Sequence, residues 1–219
     1  MLKANDLFDL SHTLAAKYLS CPEYPWQILS DLRSLILLLG MSLKEEYERR
    51  SDGIWIHRST RIAPSAHLGA PCIIGADSEV RQGAFIRGSA LIGEGCVIGN
   101  STELKNAILF DGAQAPHFNY VGDSILGYRA HMGAGSVTSN VKADKTPVSI
   151  RQGEKRIETG MKKLGAMIGD YAEIGCHAVL NPGTVIGQRS TVYPLCSVRG
   201  TLPADSILKD GGIIVSKER

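Results

Sequence analysis

The chain has 219 residues, with 24 lysines and arginines against 22 aspartates and glutamates, a formal net charge of +2 and 43% hydrophobic residues. That length suits one large domain or a domain with a small appendage, and the composition is too apolar for a disordered chain. Near-balanced charge without a lysine or arginine block gives no basis for a nucleic-acid partner, and the longest apolar run, Leu35 to Leu39, is far too short to span a bilayer.

Residues 1–50 carry helical spacing: Phe8, Leu10, Leu14, Ala15, Tyr18 and Leu19, then Trp26, Ile28, Leu29, Leu32, Leu35, Ile36, Leu38 and Leu39. Pro22 and Pro25 separate two segments, and Gly40 is expected to end the second. No apolar signal core follows Met1 to Asp6, so a cytoplasmic protein with no membrane partner is expected. The five cysteines are scattered and form no CxxC pair, which points to neither a disulfide framework nor a zinc site.

From Ile56 an apolar residue recurs at every sixth position, through Ile62, Leu68, Ile74, Val80, Ile86, Ile92, Ile98 and Leu104 to Phe110, with Pro116 in the same frame. The frame returns at Leu126 and Met132, and again from Ile168 to Val198. A small residue sits four places later, as at Ala66, Cys72, Ser78, Ala84 and Ala90. This is a hexapeptide repeat, in which each unit supplies one short strand and a corner of a narrow triangular prism. Three units make one coil, so residues eighteen apart stack on adjacent strands. The expected fold is mainly β: a parallel β-helix over 51–205, with residues 1–50 as a helical cap over its open end and 206–219 as a tail. Covering that end would protect an otherwise unpaired strand edge.

Between Asn140 and Lys163 the repeat is interrupted. Residues 141–164 read as an inserted hairpin turning at Gly153 and rich in cations: Lys142, Lys145, Arg151, Lys155, Arg156, Lys162 and Lys163. A loop thrown out of a rigid scaffold is a usual place for binding residues, and a plain solvated hairpin fits the same residues.

Arg87 and Lys105 each follow an inward aliphatic residue and are eighteen apart, so they are expected on adjacent coils of one face. Two cations held a strand apart repel unless an anion lies between them, which suits a phosphate. The frame is most disturbed at Pro116 to Asp123, where His117, Asn119, Tyr120 and Asp123 cluster and Glu103 stands one coil earlier. A glutamate beside a histidine is an arrangement for a general base.

Glu103-Leu-Lys105, His117-x-x-Tyr120-Val-Gly-Asp123 and Met132-Gly-Ala-Gly135 followed by Asn140 resemble the acetyltransferase domain of the bifunctional glucosamine-1-phosphate acetyltransferase/N-acetylglucosamine-1-phosphate uridylyltransferase family. The hairpin and the run Lys163 to Ala166 are similar to the archaeal sugar-1-phosphate nucleotidylyltransferase/acetyltransferases. The resemblance covers most of the repeat region and implies a left-handed β-helix, a homotrimer and acetyl-CoA as acyl donor. It implies N-acetylation of a hexosamine 1-phosphate for nucleotide-sugar synthesis of the UDP-N-acetylglucosamine type.

In that pattern His117 is the general base, Glu103 orients it, and Asn140 contacts the sugar and the acetyl group. Arg87, Lys105 and Tyr120 hold the sugar 1-phosphate, and His131, also substrate-binding, stands where a sugar-contacting asparagine is usual. The N–H near Ala134 receives the thioester carbonyl, Lys145 meets coenzyme A phosphates, and Cys176 stands in place of a serine near the thioester. The only glycine in the first fifty residues is Gly40, so no phosphate loop and no nucleotidylyltransferase activity are expected of these residues.

Two other readings fit parts of the pattern. A prism-fold carbonic anhydrase would need three histidines on a metal, but His57, His67, His117, His131 and His177 lack the close pairing that fold uses, and no metal is expected. A non-catalytic sugar-phosphate-binding trimer, partnering a separate nucleotidylyltransferase, would keep the pocket and lose the chemistry.

Overall fold

A computed structural model describes residues 2–217, in which short parallel strands wind into a three-sided β-helix. Each hexapeptide turns its aliphatic side chain inward, and the small residue after it fits the corner. The first face stacks Ile54–His57, Cys72–Ile74, Ala90–Ile92, residues 107–109, residues 124–126, Ala166–Ile168, Thr184–Ile186 and Thr201–Leu202. The second face runs from Arg61–Ile62 through Val97–Asn100, Gln114–His117, His131–Met132 and Glu173–Ile174 to Ser206–Leu208. The third holds His67–Leu68, Phe85–Ile86, residues 103–105, residues 120–122, Val137–Thr138, Val179–Leu180 and Ser197–Val198. Strands Glu103–Leu109 and Tyr120–Leu126 run around a corner, so one sheet of 14 strands covers two faces.

The six-residue frame slips where the expected site lies. It placed Phe110 and Pro116 in line with the interior residues, but Leu109 and Ala115 fill those places. Ile92 pairs with Leu109 and Ile98 with Ala115, seventeen residues apart rather than eighteen. The corner after Arg87 uses two residues, Gly88 and Ser89, whereas Asn106 makes the next corner alone at φ 51°. Phe110 is thereby turned outward against Phe8, with ring centroids 5.1 Å apart.

The N-terminal helices lie along the first face rather than over the end of the prism. The reason is the outward row Trp55, Ile73, Leu91, Ile108, Ile125, Met167 and Val185, which is apolar and needs covering. Helix Leu32–Met41 packs on strands Cys72–Ile74, Ala90–Ile92 and Glu103–Leu109, together with Trp26, Leu29 and Leu7. Gly40 does not end this helix; a Cβ there would stand 2.5 Å from the Trp55 ring, so glycine permits the close approach. Farther along, Asp170 accepts from the N–H of Asp9 at 2.6 Å and of Tyr128 at 2.7 Å, and burial pushes its carboxyl above the usual range.

The inserted segment covers the rest of that row. Strands Ser149–Gln152 and Lys155–Glu158 form the hairpin, and Val148 and Ile150 pack with Met167 and Val185. Its feet are pinned: Leu164 N–H donates to Asn140 O at 3.0 Å and Gly165 N–H to Asp123 O at 2.8 Å. Antiparallel strands shield exposed edges at opposite ends, Tyr47–Ser51 on Ile54–His57 and Ile214–Ser216 on Ser206–Leu208. Residues 206–208 therefore complete the last coil instead of starting a tail. Among the described residues no helix is long and apolar enough to cross a membrane.

Candidate active site

The edge between the second and third faces carries three of the expected residues on successive coils. Gly135 N–H donates to His117 O at 2.9 Å, His177 N–H to Ala134 O at 2.8 Å, and Leu195 N–H to Cys176 O at 2.9 Å. His117, Ala134 and Cys176 thus stack along one edge at strand spacing. Asn119 holds this edge together. It is only 3% exposed; its Oδ1 accepts from His117 N–H at 3.0 Å, and its amide donates to Gly133 O at 2.8 Å and Ser136 O at 3.0 Å. A buried amide satisfied in this way fixes the backbone of His117 against the loop bearing Ala134.

Between them, Phe118 takes φ 52° and is 61% exposed. The same left-handed turn recurs at corners of other coils, as at Tyr171, His177 and Leu195, so it belongs to the winding of the β-helix. The His117 ring is exposed and has no hydrogen-bond partner among the described residues.

The third face holds the second group. Lys105 Nζ donates to both carboxylate oxygens of Asp123, at 2.8 and 2.9 Å, and Asn106 Nδ2 donates to Asp123 Oδ1 at 2.9 Å. Asn140 Nδ2 donates to Asp123 Oδ2 and, at 3.2 Å, to the Tyr120 hydroxyl. Burial pushes the Tyr120 phenol above its ordinary value, so it stays protonated and able to donate at neutral pH. Arg87 and Lys105 do stack on adjacent coils. Each has its own carboxylate, however: Arg87 Nη1 donates to Glu103 Oε1 at 2.8 Å. Glu103 therefore engages Arg87 rather than His117. It lies on the outward row of the third face beside that guanidinium, whereas His117 ends a second-face strand before the corner.

His131 and Lys145 stand apart from both groups. His131 begins its second-face strand and pairs through Nδ1 with Glu173 Oε2 at 2.9 Å, in a cleft of about 680 Å³ with Asp77, Glu94, Asp111 and Gln114. Lys145 is exposed in the inserted segment at φ 57°. The sequence shows Asn119 as a neighbour of His117; its part in tying two coils together depends on burial, which no spacing reveals. Among the described residues no group of three His, Cys, Asp or Glu stands close enough to hold a metal ion.

The cysteines divide by burial. Cys72 and Cys96 are buried at corners, and burial pushes both thiols up to about 12; Cys21 and Cys176 are exposed. Titration with an aromatic disulfide at pH 8 is expected to label Cys21 and Cys176 within minutes, and Cys72 and Cys96 only after denaturation, because the thiolate is the reactive form. Peptide mapping of the labelled native protein checks this; rapid native labelling of Cys96 would contradict the packing described.

Residues 51–153 match the family model of the GMPPB C-terminal domain. The chain is 36% identical over 90 residues to a bifunctional sugar-1-phosphate nucleotidylyltransferase/acetyltransferase of Sulfurisphaera tokodaii, covering 41% of this chain and 22% of that protein. It is 32% identical over 116 residues to the bifunctional protein GlmU of Methanococcus maripaludis, covering 52% and 28%. The matches thus span less than a third of either relative's length. Among solved structures, the acetyltransferase domain of PglB from Neisseria gonorrhoeae in complex with acetyl coenzyme A aligns with 71% of this chain and 53% of that one, at 17% identity and a TM-score of 0.33. The chain is a hexapeptide-repeat β-helix that resembles, over part of its length, the GlmU-type sugar-1-phosphate nucleotidylyltransferase/acetyltransferases.

Proposed function

We propose that this chain is an acetyl-CoA-dependent N-acetyltransferase acting on a hexosamine 1-phosphate, in a homotrimer whose sites lie where neighbouring prisms meet. The observation that carries the reading is the unpartnered His117 imidazole, on a backbone that Asn119 ties to the loop of Ala134, at the edge of the face bearing Arg87, Lys105, Tyr120 and Asn140.

In this reading the sugar amine attacks the thioester carbonyl carbon, and a His117 ring nitrogen takes the proton that the amine loses. Negative charge then develops on the carbonyl oxygen, where an N–H near Ala134 donates to it. The tetrahedral intermediate collapses with cleavage of the C–S bond, and the coenzyme A thiolate leaves with the proton held by His117. Arg87 and Tyr120 receive the substrate phosphate. Lys105 contributes once the phosphate competes with Asp123 for its ammonium, so part of the binding energy is spent on that exchange. His131 and Glu103 meet the substrate from a neighbouring copy or after rearrangement of the Arg87–Glu103 pair. The product belongs to the acetylated sugar phosphates that supply nucleotide sugars of the UDP-N-acetylglucosamine type.

The test is phosphate dependence. Thiol release from acetyl-CoA is expected with glucosamine 1-phosphate, and kcat/KM is expected to fall at least about tenfold with glucosamine itself, a loss of about 1.4 kcal/mol or more for charge-assisted contacts. Equal rates with both sugars would remove Arg87 and Lys105 from the phosphate role.

A further inference from the structure

A separate cationic cleft lies where the inserted hairpin meets the last coils. It has a volume of about 310 Å³, and Lys142, Arg151, Arg156 and Arg199 line it together with Ser149 and Gly200. The hairpin is held there by the Thr201 hydroxyl, which donates to Arg151 O at 2.7 Å. Two of the four charges are compensated, Arg156 by Glu158 at 2.6 Å and Lys142 by Asp144 at 3.4 Å. Arg151 and Arg199 have no carboxylate partner among the described residues.

Arg151 also stands directly opposite Arg156 in the hairpin register. Like charges facing one another across two strands destabilise the pair unless an anion lies between them. Three guanidiniums and an ammonium around a concave space offer forked donors of the geometry that phosphate oxygens accept. None of the lining residues, Pro182 among them, carries an aromatic ring, so the chemistry offered is to phosphates and not to a base.

The cleft is distinct from the Arg87–Lys105 group. Lys105, Gly122, Ser139, Asn181 and Arg199 follow one another on the outward row of the third face, so Arg199 is four strands along from Lys105, about 19 Å at roughly 4.8 Å per strand.

We infer that the cleft of Lys142, Arg151, Arg156 and Arg199 is a binding site for the phosphate groups of a diphosphate-bearing ligand. Two sources carry that chemistry: the acyl donor, an assignment that rests on the acetyltransferase reading above, and a free diphosphate. Calorimetric titration separates them without relying on turnover. Inorganic pyrophosphate is expected to bind the full chain with an affinity that falls as salt rises, and Arg151→Gln/Arg199→Gln is expected to weaken it at least tenfold. Both positions are exposed, so circular dichroism should show an unchanged fold.

Coenzyme A that displaces pyrophosphate assigns the site to the acyl donor. Pyrophosphate binding that coenzyme A leaves undisturbed assigns it to a separate phosphate ligand, and both results support the cleft. Absence of pyrophosphate binding, or equal binding by the folded double variant, would overturn it. A protein that binds pyrophosphate in the cleft but releases no thiol from acetyl-CoA would sink the acetyltransferase reading alone.

Discussion

His117→Ala is expected to lower kcat for acetyl transfer by about 10²- to 10⁴-fold, the range lost when a positioned general base is removed. The same change is expected to leave stability within about 0.5 kcal/mol, because the ring is exposed and makes no hydrogen bond among the described residues. The separation of the two effects is what makes the variant informative. The backbone at His117 is held by the Asn119 side chain, not by the imidazole, so alanine keeps the edge intact and deletes only the base. A substitution at Asn119 would not separate them, since it removes the donor to Gly133 O and Ser136 O in a buried setting. Steady-state kinetics beside urea unfolding of the same preparation reads both quantities. An unchanged kcat would place the base elsewhere.

Gly99→Ala is expected to cost about 3 kcal/mol or more, the upper end of overpacking effects, and to leave little soluble protein. An alanine Cβ there would run into the carbonyl oxygen, carbonyl carbon and Cα of Pro116. All three are backbone atoms of the next coil, so no side chain can swing aside. The strand Gln114–His117 would have to move away from Val97–Asn100, breaking the pairing Ala115↔Ile98 and His117↔Asn100. The contrast is Gly95, which has φ 61° but open space around the added atom. Gly95→Ala meets only the left-handed backbone penalty of about 1–2 kcal/mol. Urea midpoints of the two variants measured together check the difference, and similar losses in both would contradict the coil-to-coil contact at Pro116. Any Gly99→Ala protein that does fold should also turn over slowly, because Pro116 precedes His117.

The hexapeptide period is legible because every inward aliphatic residue between Ile56 and Leu104 obeys it, and each is part of the interior. The slip after Lys105 is not legible. Whether a corner takes two residues, as at Gly88 and Ser89, or one, as at Asn106, is decided by backbone dihedrals that the period does not report. The placement of the N-terminal helices is signalled by the outward residues of the first face. Trp55, Ile73, Leu91 and Ile125 each directly precede an inward aliphatic residue, and an outward apolar row on one face of a prism calls for a cover along its side.

For the site, the stacking of Arg87 on Lys105 follows from the eighteen-residue coil alone. Their pairing with Glu103 and Asp123 does not, since it depends on which outward carboxylates lie within reach. The edge formed by His117, Ala134 and Cys176 was also hidden, because the insertion between Asn140 and Gly165 separates Cys176 from its neighbouring coil by forty-two residues. Sequence spacing sees that gap as a break in the repeat; strand pairing closes it.

The central claim is that His117 serves as the base for acetyl transfer to an amino-sugar phosphate. Thiol release from acetyl-CoA with glucosamine 1-phosphate, measured on the intact protein beside His117→Ala, addresses it most directly. The expected result is turnover with an acetylated sugar phosphate as product, collapsing by at least about a hundredfold in a variant that remains folded. Turnover at an undiminished rate in His117→Ala, or none from the folded intact protein, would contradict it.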